Sequence, residues 1–237
     1  MRTPRPIWAL LGALAAACAV GVGHGSAADA LCGSSDYAYA GLQSFGSVNG
    51  VSATITSLLN PQVARGHVAG WVGVSSRNGQ AWIQTGVSAF PGDATSHAYI
   101  EIAAPNGALR YVTVGDALPN GQRHRFGVLE IAQRPGWWRA WLDGKPVSRP
   151  VFLPGSHGRW HAQATGESWN DNSGACNLYA YSFESVDLAT APGGSWRRLR
   201  GGRVFEDPGY RLARDTHAGF VASSVVLPAR IVATSAP

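Results

Sequence analysis

Gln84 stands in the run Ile83-Gln84-Thr85-Gly86-Val87, and Glu167 in Thr165-Gly166-Glu167-Ser168-Trp169. A carboxamide and a carboxylate can together hydrolyse an amide with water alone. The carboxylate takes a proton from the attacking water and later returns one to the leaving nitrogen. The carboxamide NH₂ donates to the developing oxyanion, while its oxygen holds the water. Two carboxylates in one site would share a proton, whereas one Gln and one Glu avoid that coupling. The Glu must be ionised to act as base, yet protonation of the leaving group favours modest acidity. An acid optimum is therefore expected.

Other side chains could serve the same site. Glu101 is a second carboxylate whose strand parity matches Tyr99. Trp71, Trp82 and Tyr99 would supply flat aromatic wall, and Glu101 a placed polar group, for an extended polymer substrate. Taken singly, each is an ordinary strand residue, and only the surrounding pattern distinguishes it. Other chemistries lack their signatures. The chain has no Gly-x-Ser-x-Gly elbow, phosphate loop or His-Glu-x-x-His pair. His157 and His161 stand four apart, but Gly158 and the strand-like sequence that follows spoil a helical ligand pair. No metal and no cofactor are expected.

The elements that must carry these residues are strands. Period-two alternation recurs and helical periodicity is nearly absent. Strands are expected at Val51–Ser57, Val68–Ser75, Ala81–Ala89, His97–Ala103, Leu109–Val114, Arg125–Ala132, Trp137–Leu142, Val147–Phe152, Trp160–Gly166 and Leu178–Leu188. Turn signals separate them, among them Arg77-Asn78-Gly79, Pro105-Asn106-Gly107 and Asp143-Gly144, where the last marks a tight hairpin. On the expected strands, with Trp160–Gly166 continued one residue to Glu167, Trp71, Trp82, Gln84, Tyr99, Glu101 and Glu167 fall opposite the apolar parity set. That arrangement places one apolar face in a core and one polar-aromatic face outside. An all-β fold follows, an antiparallel β-sandwich of the concanavalin A or lectin-like jelly-roll kind over residues 48–190.

Composition agrees. Among 237 residues there are 30 Gly and 14 Pro, 45% are hydrophobic, 14% are charged, and 9 are Trp. Such a chain is globular, not disordered, and suits many turns and short strands. Arg2 and Arg5, the apolar run Ile7 to Val22, and small residues Ser26 to Ala28 have the layout of a secretory signal peptide over residues 1–28. Its loss removes two of the five net positive charges, which leaves little reason to expect nucleic acid. A secreted monomer with no membrane attachment is expected. Cys32 and Cys176, the two cysteines after the leader, are expected to form one disulfide in an oxidising compartment. Residues 29–47 read as an N-terminal segment. Residues 191–237 read as a basic extension, either added strand, docking tail or partly disordered, with a strand expected at Phe220–Leu227.

The runs Trp71-Val72-Gly73-Val74, Ala81-Trp82-Ile83-Gln84-Thr85-Gly86-Val87 and Ala98-Tyr99-Ile100-Glu101 resemble, in that order, the eqolisin family of glutamic peptidases. Trp137-Trp138, the Asp143-Gly144 turn and Glu167 also resemble the related neprosin-type domain, although Gln84 matches the eqolisin form. The resemblance spans about residues 48–190. It implies a β-sandwich peptidase acting on polypeptides in acid without a cofactor, with Gln84 and Glu167 as the catalytic pair. Ser75 stands where eqolisins usually carry Asp, and Tyr99 and Ile102 where Trp is commoner. Both departures bear on the orientation of Gln84 and on what the groove accepts. The alternative is a lectin-like module that binds carbohydrate or cell-wall polymer through the same aromatic groove.

Overall fold

In a computed structural model of the chain, residues 37–214 and 219–225 are described. They form two antiparallel sheets packed face to face, the sandwich expected from the alternating pattern. The first sheet holds β1 (Tyr37–Ser47), β3 (His67–Ser75), β4 (Trp82–Ala89), β5 (Ser96–Ala103), β6 (Leu109–Leu118), β11 (His161–Trp169) and β14 (Arg203–Glu206). Its strand order is β14-β1-β11-β3-β4-β5-β6. The second is built on β2 (Gly50–Ser57), β7 (Arg123–Glu130), β8 (Trp137–Leu142), β12 (Ala180–Ala189), β15 (Tyr210–Arg214) and β16 (Phe220–Ser224). Short strands β9 (Lys145–Pro146), β10 (Val151–Phe152) and β13 (Trp196–Arg198) extend it. Its main path is β10-β8-β7-β2-β12-β16-β15, with β9 on β8 and β13 on β12.

The apolar parity set fills the space between the sheets. Val72, Ile83 and Ile100 of the first sheet meet Phe126, Trp138 and Phe183 of the second in one buried cluster. The first sheet presents small residues where the second presents tyrosines. A Cβ on Gly166 would lie 2.5 Å from the Tyr179 ring, so only glycine lets β11 approach that closely. Close seating of β11 is what fixes Glu167 on the opposite face.

The sheets extend past residues 48–190 at both ends. β1, within the expected N-terminal segment, runs between β11 and β14. Its inward residues Ala38, Ala40 and Leu42 are mostly too small to mark it as a strand by hydrophobicity. The basic extension supplies added strands, the first of the outcomes left open for it. β16 pairs with β12, and Phe220 stacks on Phe183 with ring centroids 4.6 Å apart. Of the expected strand Val147–Phe152, only Val151–Phe152 is strand, as β10, while β9 ends before it at Pro146; Pro150 has no N–H for a ladder. Ser148 Oγ instead accepts the Ala140 N–H at 2.9 Å. The expected leader, Cys32 and the end of the chain lie outside the described residues.

Candidate active site

The outer face of the first sheet carries the polar-aromatic set, and strand register arranges it in rows. One row runs Gln43, Gln163, Gly73, Gln84, Glu101, Tyr111 across six adjacent strands. The next runs Thr165, Trp71, Gly86, Tyr99, and the third Tyr39, Glu167, Ala69, Ser88, His97. A groove of about 820 Å³ lies over these rows, lined by Tyr39, Trp71, Trp82, Gln84, Glu101 and Glu167 among others. Gly73 forms its floor. A Cβ there would stand 2.7 Å from the Gln84 Cβ, so the missing side chain leaves Gln84 its place.

Each polar side chain is held by a neighbour. Glu167 is buried, and its Oε2 accepts the Trp71 indole N–H at 2.7 Å. Its Oε1 lies 2.9 Å from His67 Nε2, an ion pair when the imidazole is protonated. The His67 ring is packed by Phe90 and Trp169, with centroids 5.7 and 5.5 Å away. Gln84 Nε2 donates to the Tyr99 hydroxyl at 3.1 Å. Burial pushes the Tyr99 hydroxyl well above the usual tyrosine range, with Glu167 and Glu101 adding to the effect, so it remains protonated. Glu101 Oε1 accepts the Trp82 indole N–H at 3.0 Å. Burial first, and then the charge of Glu167, raise the Glu101 pKa, against opposing pulls from the Trp82 hydrogen bond and His67.

Five of the six expected site residues line one groove. Tyr99 does not. It is only 2% exposed, stacked under Tyr111 with centroids 5.2 Å apart, and it holds Gln84 instead of forming wall. Gln84 and Glu167 share the groove but not a row. They face Gly73 and Ala69, four residues apart on β3, and Trp71 occupies the row between. The carboxyl group beside Gln84 in its own row is Glu101. Gln163 shares the parity of Glu167 and lines the groove with it, whereas His67, one residue before the expected strand Val68–Ser75, was not legible although its parity matches that of Trp71. A donor amide between two carboxyl groups, one held by Trp71 and His67 and one inclined to keep its proton, can both take and give protons. Among the described residues, no three His, Cys, Asp or Glu gather as a metal-binding cluster. Among them also, no helix is long and apolar enough to cross a membrane.

This architecture resembles that of solved glutamic peptidases. One is scytalido-glutamic peptidase with a peptide based transition state analog, at 20% identity and TM-score 0.57, covering 80% of this chain and 99% of that one. Another is SCP-B, a member of the eqolisin family, in complex with the tripeptide Ala-Ile-His, at 19% identity and TM-score 0.55 with the same coverage. The chain has an eqolisin-like fold. No family model matches the sequence, and no curated protein matches it.

Proposed function

We propose that the chain is a secreted, acid-acting peptidase of the glutamic type that binds an extended polypeptide in the groove. The observation that carries this reading is the presence of Gln84, Glu101 and Glu167 in one groove on the outer face of an eqolisin-like sandwich. Glu167 takes the proton of a water that attacks the peptide carbonyl carbon. Gln84 donates to the resulting oxyanion. Glu101, inclined to hold a proton, gives it to the leaving nitrogen as the C–N bond breaks, and the proton held by Glu167 returns through solvent. Trp71 and His67 orient the Glu167 carboxylate, and Trp82 orients Glu101. Residues 1–28 direct export, and Cys32 pairs with Cys176 in the mature monomer.

A second reading, a groove that binds carbohydrate without catalysis, draws on the two-row offset between Gln84 and Glu167. Incubating the mature protein with an unfolded protein from about pH 2 to 7 separates the two readings. The peptidase cleaves in acid, and Gln84→Ala, Glu101→Gln and Glu167→Gln each lose cleavage while remaining folded. No cleavage at any pH leaves the binding reading.

A further inference from the structure

The outer face of the second sheet, on the far side of the core, carries another depression of about 490 Å³. Strand register again builds it from a row, here Trp141, Gly127, Ser52, Asp187 and Arg198. Gly127 and Ser52 make a low floor. Trp141 rises at one side, and Trp196, 45% exposed on β13, closes the other. Four strand spacings separate β8 from β13, a span of about 19 Å that suits an oligosaccharide better than a single sugar.

The polar groups here are donors already set in place. Asp187 accepts from Arg125 Nη2 at 2.8 Å and from Arg198 Nε at 3.0 Å. Arg125 Nη2 also lies 2.6 Å from Ser52 Oγ. Two guanidinium groups therefore share one carboxylate and leave a net positive charge. Among the described residues, the buried Trp141 Nε1 on this face has no hydrogen-bond partner, nor has Arg139 Nε in the adjoining row. A ligand that completes the site must offer flat apolar ring faces to the two indoles and acceptor oxygens to the guanidinium groups.

We propose that this face binds an acidic polysaccharide, with sugar rings on Trp196 and Trp141 and the acid groups on Arg125 and Arg198. The site is independent of the groove on the other sheet. It would hold the protein on an anionic matrix while the groove faces outward.

The test is affinity electrophoresis of the mature protein through gels containing dextran sulfate, polygalacturonate, dextran or poly-glutamate. Retardation by dextran sulfate or polygalacturonate, and not by dextran, is expected. Which of the two retards more separates sulfate from carboxylate as the preferred acid group. Trp196→Ala, which changes no charge, should weaken retardation about tenfold. Arg198→Ala should weaken it similarly, while Arg110→Ala and Trp82→Ala leave it unchanged, with circular dichroism confirming each fold. Retardation unaffected by Trp196→Ala, equal retardation by poly-glutamate, or loss in Trp82→Ala would each overturn the proposal. So would no retardation at all.

Discussion

Trp71 Nε1 donates to Glu167 Oε2 at 2.7 Å across two adjacent strands, from diagonally related positions on β3 and β11. This bond ties the aromatic strand to the carboxylate and links the Trp-Val-Gly run directly to the late Glu strand. Trp71→Phe keeps an aromatic ring and removes the donor. A hydrogen bond to a charged group contributes about 1.5–3 kcal/mol, so a loss of about 2 kcal/mol is expected in urea unfolding. Cleavage should fall with it, because the carboxylate is then held by His67 alone. Unchanged stability and unchanged cleavage would show that the bond is idle.

Gly73→Ala tests the floor of the groove. The new Cβ would stand 2.7 Å from the Gln84 Cβ and 2.8 Å from the Ile83 carbonyl oxygen. The Gln84 side chain must shift, and crowding of this kind costs about 1–3 kcal/mol. Loss of cleavage from a protein that still unfolds cooperatively is the expected result. Full activity would remove Gln84 placement from the reading.

Glu101 gives a pH dependence whose sign follows from its raised pKa. The folded protein holds the Glu101 proton more tightly than the unfolded chain, whose value lies near 4.5. Stability from this group is therefore greatest below that value and declines as pH rises from there through the folded pKa. Glu101→Gln keeps an acceptor for Trp82 and carries no proton equilibrium. The melting temperature of the variant should fall less than that of the native chain over the same pH rise. Parallel curves would count against a raised pKa.

Phe220→Ala tests whether the C-terminal strands are structural. Phe220 is buried and stacked on Phe183, and large-to-small changes of this kind cost about 3–5 kcal/mol. A drop of that size in chemical denaturation is expected. A change below about 1 kcal/mol would mean that β16 is dispensable to the core.

Much of the fold was legible because alternation is a local signal. β8 has the expected bounds, and β4 differs from its expectation by one residue. Along β8, Trp138 is inward and Trp137 and Trp141 are partly exposed, the alternation that marks a strand. β1 was not legible, because Ala38 and Ala40 pack inward without looking apolar enough to mark a strand. The shortening of Val147–Phe152 to its last two residues was written in Pro150, whose missing N–H outweighs the alternation around it.

For the site, residue types and parity determined which side chains stand on the outer face: Trp71, Trp82, Gln84, Glu101 and Glu167. Parity is a property of one strand and says nothing about register between strands. Only the tertiary structure decided that Glu101 shares a row with Gln84, that Glu167 lies two rows away, and that Tyr99 is covered by Tyr111. Those relations depend on how β11, β3, β4 and β5 slide against one another. That sliding is set by hydrogen-bond ladders and by close contacts such as Gly166 on Tyr179, between residues far apart in the chain.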